Sequence, residues 1–349
     1  MRLELIWFAA LQSVLVYGAK LSVVKVNVER ESFLEWLSMI LWPTTIKPEP
    51  ESTPGSTTEI PQISNYPVGR ECTCCHCGLM NNVPKIVGGH ETCPQQYPWM
   101  AGILLLGHFY CAASLISDLY VLTAAHCVQD VPPEIITVRL LAHNRSNSDD
   151  PVVLDRLAVH VRAHELYDQR SFENDIALIR LEQPVTFETI LRPVCLPAPD
   201  SSFDGRVGIV TGWGAQRENG FATDILQEVD VLILSQSECR NSSYTPAMIT
   251  DSMLCAGYLG EGGKDACSGD SGGPLLVSLN EQEPEQYQLA GIVSWGAGCG
   301  RPDSPGVYTR VNQYLPWITD HTSDACDCTS EATPRAEQKL VVGLANCSL

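Results

Sequence analysis

Basic side chains are scarce in this sequence: 22 Lys and Arg stand against 41 Asp and Glu, a formal charge of −19 over 349 residues. Phosphate backbones are bound through clustered positive charge, so nucleic acid is excluded as a target class. The acidic excess reads as a soluble surface. Long apolar runs are also lacking. The run from Leu5 to Val16 is shorter than the roughly 20 residues a membrane-spanning helix needs, and Lys20 and Lys25 follow it closely. With Arg2 before it and Gly18 and Ala19 behind, it has the form of a secretory signal. Residues 1–18 are expected to be removed, leaving no membrane span; the alternative is an uncleaved anchor. No repeat of fixed period is found.

Cysteine, by contrast, is plentiful. A secreted chain with 15 cysteines implies a disulfide framework, and the odd number leaves at least one thiol without an intramolecular partner. Three Asn-x-Ser sites, at Asn144, Asn241 and Asn346, fit the same glycosylating route. Residues 43–67 are rich in Pro, Ser and Thr and read as an extended linker. A cysteine cluster, ECTCCHCG, runs from Glu71 to Gly78 and is followed by NNVPKIVGG. Beyond Ile86 come short apolar runs separated by Gly, Pro, Asn and Asp: AGILLL, CAASLIS, DIALIRL, RVGIVTGWG, VDVLILS, GPLLVS and QLAGIVSWG. Many short strands without a long helical period point to an all-β sandwich or barrel. Val311, Tyr314, Leu315 and Ile318 fall at helical spacing and predict one packing helix near the end. From about Ser323 the chain reads as a polar tail.

Three segments carry chemistry: LTAAHC around His126, NDIALIRL around Asp175, and GKDACSGDSGGPL, which holds Asp265, Asp270 and Ser271. A serine hydroxyl is a weak nucleophile until a base takes its proton, and histidine, titrating near neutral pH, suits that task. Taken alone, each residue has a plainer reading: a hydrogen-bonded strand-end histidine, a turn aspartate after Asn174, a glycine-rich turn. The set, in the order His, Asp, Ser, resembles the trypsin-like (chymotrypsin-fold) serine proteases. The resemblance extends over about Ile86 to Thr322 and includes IVGG, GWG at Gly212 to Gly214 and SWG at Ser294 to Gly296. It implies two packed six-stranded antiparallel β-barrels with a short C-terminal helix. It divides the chain into signal peptide (1–18), pro-segment with linker and cysteine cluster (19–85), protease domain (86–322) and tail (323–349).

The roles below are what the resemblance implies. His126 is the base, Asp175 orients its ring, Ser271 attacks, and the Gly269 and Ser271 amides stabilise the oxyanion. Ser294, Trp295 and Gly296 pair with an extended substrate. Asp265 forms the floor of the specificity pocket, with Gly296 and Gly306 as its walls, so arginine or lysine is the residue expected before the cut bond. Ala266 stands where many relatives carry serine, which favours arginine. Cleavage after Lys85 frees an ammonium at Ile86 that pairs with Asp270, switching the precursor on. Disulfides are implied for Cys111 with Cys127, Cys239 with Cys255, and Cys267 with Cys299, and a tether for Cys77 with Cys195. Cys72, Cys74, Cys75, Cys93, Cys326, Cys328 and Cys347 remain unassigned. Zinc in the CTCCHC cluster is a rival reading, set behind disulfides because ligands so close in sequence rarely close a tetrahedron. No cofactor or metal is expected: an acid that calcium sites of relatives use is missing near Ala142, and Pro305 stands where sodium-regulated relatives differ. Expected partners are proteins with exposed Arg or Lys, an upstream activating protease, and serpin-type or other protease inhibitors. The rival functions are a protease-like binding module without catalysis and a structural cysteine-rich protein, which leaves the three segments unexplained.

Overall fold

The computed structural model describes residues 75–81, 90–187, 190–280, 286–326 and 328. Lys85, Ile86, Asn346, Cys72, Cys74, Cys347, the proposed signal sequence and the linker lie outside the described residues. No helix among the described residues is long and apolar enough to cross a membrane.

The apolar runs form 13 antiparallel strands, and the first barrel contains six of them. They are β2 (Met100–Leu105), β3 (His108–Leu115), β4 (Tyr120–Thr123), β5 (Ile136–Leu140), β6 (Leu154–Ala163) and β7 (Ala177–Leu181), closed in the order β2-β3-β4-β7-β6-β5. Strand β5 shows the alternation that half-buried strands require, with Ile136, Val138 and Leu140 inside and Thr137 and Arg139 between them. Strand β4 is buried throughout.

The second sheet contains β1 (His90–Glu91), β8 (Val207–Gly212), β9 (Gln227–Leu232), β10 (Met253–Ala256), β11 (Pro274–Ser278), β12 (Tyr287–Trp295) and β13 (Gly306–Arg310), in the order β1-β9-β8-β11-β12-β13-β10. Its two long edges meet just beyond the regular ladders. Ile233, following β9, bridges Ala256 at the end of β10, with Leu234 N donating to Cys255 O and Gly257 N to Leu232 O. The six strands other than β1 therefore curl into a second barrel, which leaves few unpaired backbone groups at the edge.

The C-terminal helix begins later than its apolar spacing predicts. Val311–Gln313 form a 3₁₀ turn, and the α-helix runs from Leu315 to His321. Pro316 is the physical reason: lacking an N–H, it belongs in a first helical turn and cannot continue an α-helix begun earlier. Val311, Tyr314 and Ile318 still face the core, while Leu315 is only partly buried. That core is shared, since first-barrel residues such as Trp99, Leu115 and Ile179 cluster with Trp213, Ile292 and Ile318.

Candidate active site

His126, Asp175, Asp265, Asp270 and Ser271 all lie outside the strands, in loops or in a one-turn helix. The one-turn helix α1 (Ala125–Val128) follows β4 and carries His126. A disulfide from Cys127 to Cys111 on β3 pins this short helix, which has too few internal hydrogen bonds to stand alone. Cys111, His126 and Cys127 form a metal-like grouping, but the two sulfurs are bonded to each other and offer no thiolate.

Asp175 precedes β7 and is fully buried. Its Oδ2 lies 2.7 Å from His126 Nδ1, and its Oδ1 accepts the His126 amide at 2.9 Å. With the carboxylate as acceptor, Nδ1 carries the proton and Nε2 keeps its lone pair. Two second-barrel side chains fix the aspartate. Ser294 Oγ donates to Oδ2 at 2.5 Å and Thr309 Oγ1 to the Asp175 carbonyl at 2.6 Å. Ser294 reaches Asp175 because the β12–β13 register shifts between Val293 and Trp295, and such an irregularity re-aims a side chain.

Ser271 lies in the turn before β11, anchored by the Ala112 amide on its carbonyl at 2.8 Å. Gly269 in that turn has φ +104°, and a Cβ there would sit 2.9 Å from the Gly214 Cα, so glycine is required on both counts. Among the described residues no hydrogen bond joins the Ser271 hydroxyl to His126.

A cavity of about 150 Å³ opens beside Ser271 and is lined by Asp265, Ala266, Trp295, Gly296 and Gly306 among others. A Cβ at Gly306 would overlap Asp265 Oδ1, so only glycine leaves the carboxylate open on that side. The Gly300 amide holds Asp265 Oδ2 at 2.9 Å, whereas Oδ1 is buried without a hydrogen-bond partner among the described residues. Burial pushes the carboxyl up to about 7, against the pull of the Gly300 amide. A cation entering this slot relieves that cost. Cys267 and Cys299, bonded to each other, join the two segments that frame it.

Asp270 points the other way, into the protein. Its Oδ1 accepts the Gly214 amide at 2.7 Å and its Oδ2 the Cys267 amide at 2.9 Å. Burial raises its carboxyl to about 6, against those two amides. No cation pairs with it among the described residues, and a cavity of about 430 Å³ lined by Gly212, Gly214, Gln227 and Lys264 reaches it.

The remaining pairs lie apart from this centre. Cys239 in α2 (Gln236–Arg240) is bonded to Cys255 on β10, and Cys77 to Cys195 in the connection between the barrels. Cys75, unassigned from sequence, is bonded to Cys328; Cys93 and Cys326 are disulfide-bonded as well. With Cys75 and Cys77 both in disulfides, the zinc reading of their cluster loses two ligands. Asn241 is exposed at the end of α2, while the partly buried Asn144 closes a turn through the Ser146 amide.

Two residues at the site carried no sequence signal. Phe172 stacks on Trp295 at 6.4 Å and meets the His126 ring edge-on at 6.0 Å; Tyr244 meets Trp295 edge-on at 4.9 Å. Phe172 holds φ +57°, a conformation rare for an aromatic residue.

The trypsin family model matches residues 86–318. The chain is 38% identical to bovine (Bos taurus) coagulation factor XII over 294 residues, 80% of this chain and 46% of that protein. It is 36% identical to the proclotting enzyme of Tachypleus tridentatus over 260 residues, 70% of this chain and 68% of that protein. With human serine protease 56 it shares 40% over 241 residues, 68% of this chain and 39% of that protein. The chain thus spans less than half the length of two of these three relatives. The match across the whole double barrel, together with this identity to the proclotting enzyme, shows that the chain belongs to the trypsin family of serine proteases.

Proposed function

We propose that this chain is a secreted serine endopeptidase, made as a precursor and cut after Lys85, that hydrolyses protein bonds following arginine and, less well, lysine. One observation carries the reading: a cavity lined by both Ser271 and the buried Asp265 is also lined by Ser294, whose hydroxyl holds the Asp175 carboxylate that pairs with His126. The substrate cation enters that cavity and sets the following carbonyl beside Ser271. His126 Nε2 takes the hydroxyl proton as Oγ bonds to the carbonyl carbon, and the oxygen gains charge against the Gly269 and Ser271 amides. The imidazolium then protonates the departing amine. Water, deprotonated by the same ring, releases the acyl group and returns the proton to Ser271. Asp175 stays ionised throughout and stabilises the cationic ring.

Among the described residues, Asp270 is held by two backbone amides and by no cation. The ammonium created at Ile86 is the partner its cavity admits, and their pairing orders the turn that carries Gly269 and Ser271. Losing one member of such a pair costs about 3–5 kcal/mol, enough to switch a bistable turn. An upstream protease makes the cut, and relatives named as a coagulation factor and a proclotting enzyme support a place in such a sequence of cleavages. Inhibitors of the serpin type fit the same cleft. Asn241 and Asn144 are the glycan acceptors within the described residues, and residues 1–18 direct secretion.

The test is Ser271→Ala in the secreted, cut protein. Peptide hydrolysis and labelling by a serine-directed organophosphate are both lost, while secretion and melting temperature are kept. Turnover surviving in the pure variant overturns the assignment. Absence of labelling in the cut parent protein makes it a binding module instead.

A further inference from the structure

The chain does not leave the protein when its last helix ends. Thr322 Oγ1 turns back to the Ile318 carbonyl at 2.9 Å, and the Ala325 amide closes a turn on Thr322 O at 2.9 Å. Asp324 is then gripped by the first barrel, its Oδ1 accepting the Tyr120 hydroxyl at 2.7 Å and its Oδ2 the Arg180 guanidinium at 2.9 Å. Tyr120 and Arg180 are direct cross-strand partners on β4 and β7, so one carboxylate clamps two strands. Although burial opposes its charge, these bonds hold the Asp324 carboxyl below its ordinary value. The Cys326 amide donates to the buried Asp118 at 2.9 Å, and Cys328 is bonded to Cys75.

On the other side of that bond, Cys75 and Cys77 stand two apart in the pro-segment and run to different places, one to the tail and one to Cys195. The next residues are built into the fold. Gly78 N donates to Pro193 O at 2.7 Å, Tyr287 N to Gly78 O at 2.8 Å, and the buried Asn81 side chain donates to Gln95 O and Ile190 O. The half-buried Arg192 donates to Asn81 Oδ1 at 2.7 Å. A segment discarded on activation has no need of such seating.

We propose that residues 322–326 and Cys328 form a latch whose Cys75–Cys328 bond is a second tether of the pro-segment, independent of Cys77–Cys195, so that the cut protein keeps its N-terminal chain when the first tether is absent. The proposal rests on the reading of Lys85 as the activating cut. The two are separated by replacing residues 82–85 with Asp-Asp-Asp-Asp-Lys, so that enteropeptidase makes the cut whether or not Lys85 is the natural site. Activity on an arginine peptide then reports on the function, and gels report on the latch.

In this background the parent runs as one band without reductant and two with it. The Cys77→Ser, Cys195→Ser variant also runs as one band without reductant, and the same variant with Cys75→Ser and Cys328→Ser added runs as two. Two bands from the double variant overturn the second tether, and one band from the fourfold variant overturns Cys75–Cys328 as that tether. Should a variant fail to fold, a non-reduced peptide map of the parent decides: a cross-linked pair containing Cys75 and Cys328 supports the latch, and Cys75 linked elsewhere refutes it.

Discussion

Ser294 Oγ and His126 Nδ1 address the same atom, Asp175 Oδ2, one from each barrel, at 2.5 and 2.7 Å. The orientation of the histidine therefore depends on packing between the barrels as well as on the loop that carries Asp175. Ser294→Ala removes one charge-assisted bond from a fully buried carboxylate. A bond of this kind is worth about 1.5–3 kcal/mol, and part of that is recovered if the His126 contact tightens. The expected result is a loss of kcat/KM of about tenfold with a lowered melting temperature. Unchanged kinetics in a folded variant shows that Ser294 does not help orient Asp175.

Asp270→Asn should leave Ser271 and the pocket in place while removing the charge that an Ile86 ammonium needs. The variant protein, with its cut confirmed by N-terminal sequencing, is expected to retain only a small fraction of the activity of the cut parent. Ordinary turnover on an arginine peptide sinks the switch.

The Asp265 carboxyl has a pH signature of known sign. Its folded value of about 7 lies above the unfolded value of about 4, so the empty protein holds an extra proton in that window and this group's contribution to stability falls as pH rises through it. A bound cation needs the ionised form. Affinity of the cut enzyme for benzamidine should thus rise with pH by up to about tenfold per unit below 7 and level off above. Asp265→Asn should bind weakly and without that slope. A flat profile in the parent removes Asp265 as the cation's partner.

Ala266 bears on which cation is preferred. Arginine can bridge a carboxylate with two donors, whereas a lysine ammonium is a point charge that leans on further acceptors, and alanine supplies none. Matched peptides should favour arginine by about tenfold, and Ala266→Ser should narrow the gap. Equal rates in the parent refute the argument. With Lys85 at the proposed activation site, the enzyme is expected to convert its own precursor slowly.

How much of this was legible in the sequence follows from where each signal lies. His126, Asp175 and Ser271 each sit in a short segment whose neighbours are constrained by local geometry, so the sequence displays them. The strands announced themselves as apolar runs between turn residues. What stayed hidden depends on contacts far apart in the chain. Closure of the second barrel rests on Ile233 meeting Ala256, and the Ser294 bond to Asp175 spans 119 positions. Phe172 gave no sign because it lies in a polar loop, and its place between His126 and Trp295 comes from a backbone conformation that no composition reveals. Cys75 and Cys328 are 253 residues apart, in segments of no regular period, where pairing cannot be counted out from spacing.

The two bonds at Cys75 and Cys77 also change the kinetics of loss. A reducing agent that opens one of them leaves its sulfurs held close by the other, at an effective concentration on the order of millimolar, where exchange favours re-closure. Shedding the N-terminal chain then needs at least these two bonds open at once, so its rate should climb more steeply than in proportion to reductant. A mildly reducing environment that strips a singly linked chain would leave this one whole.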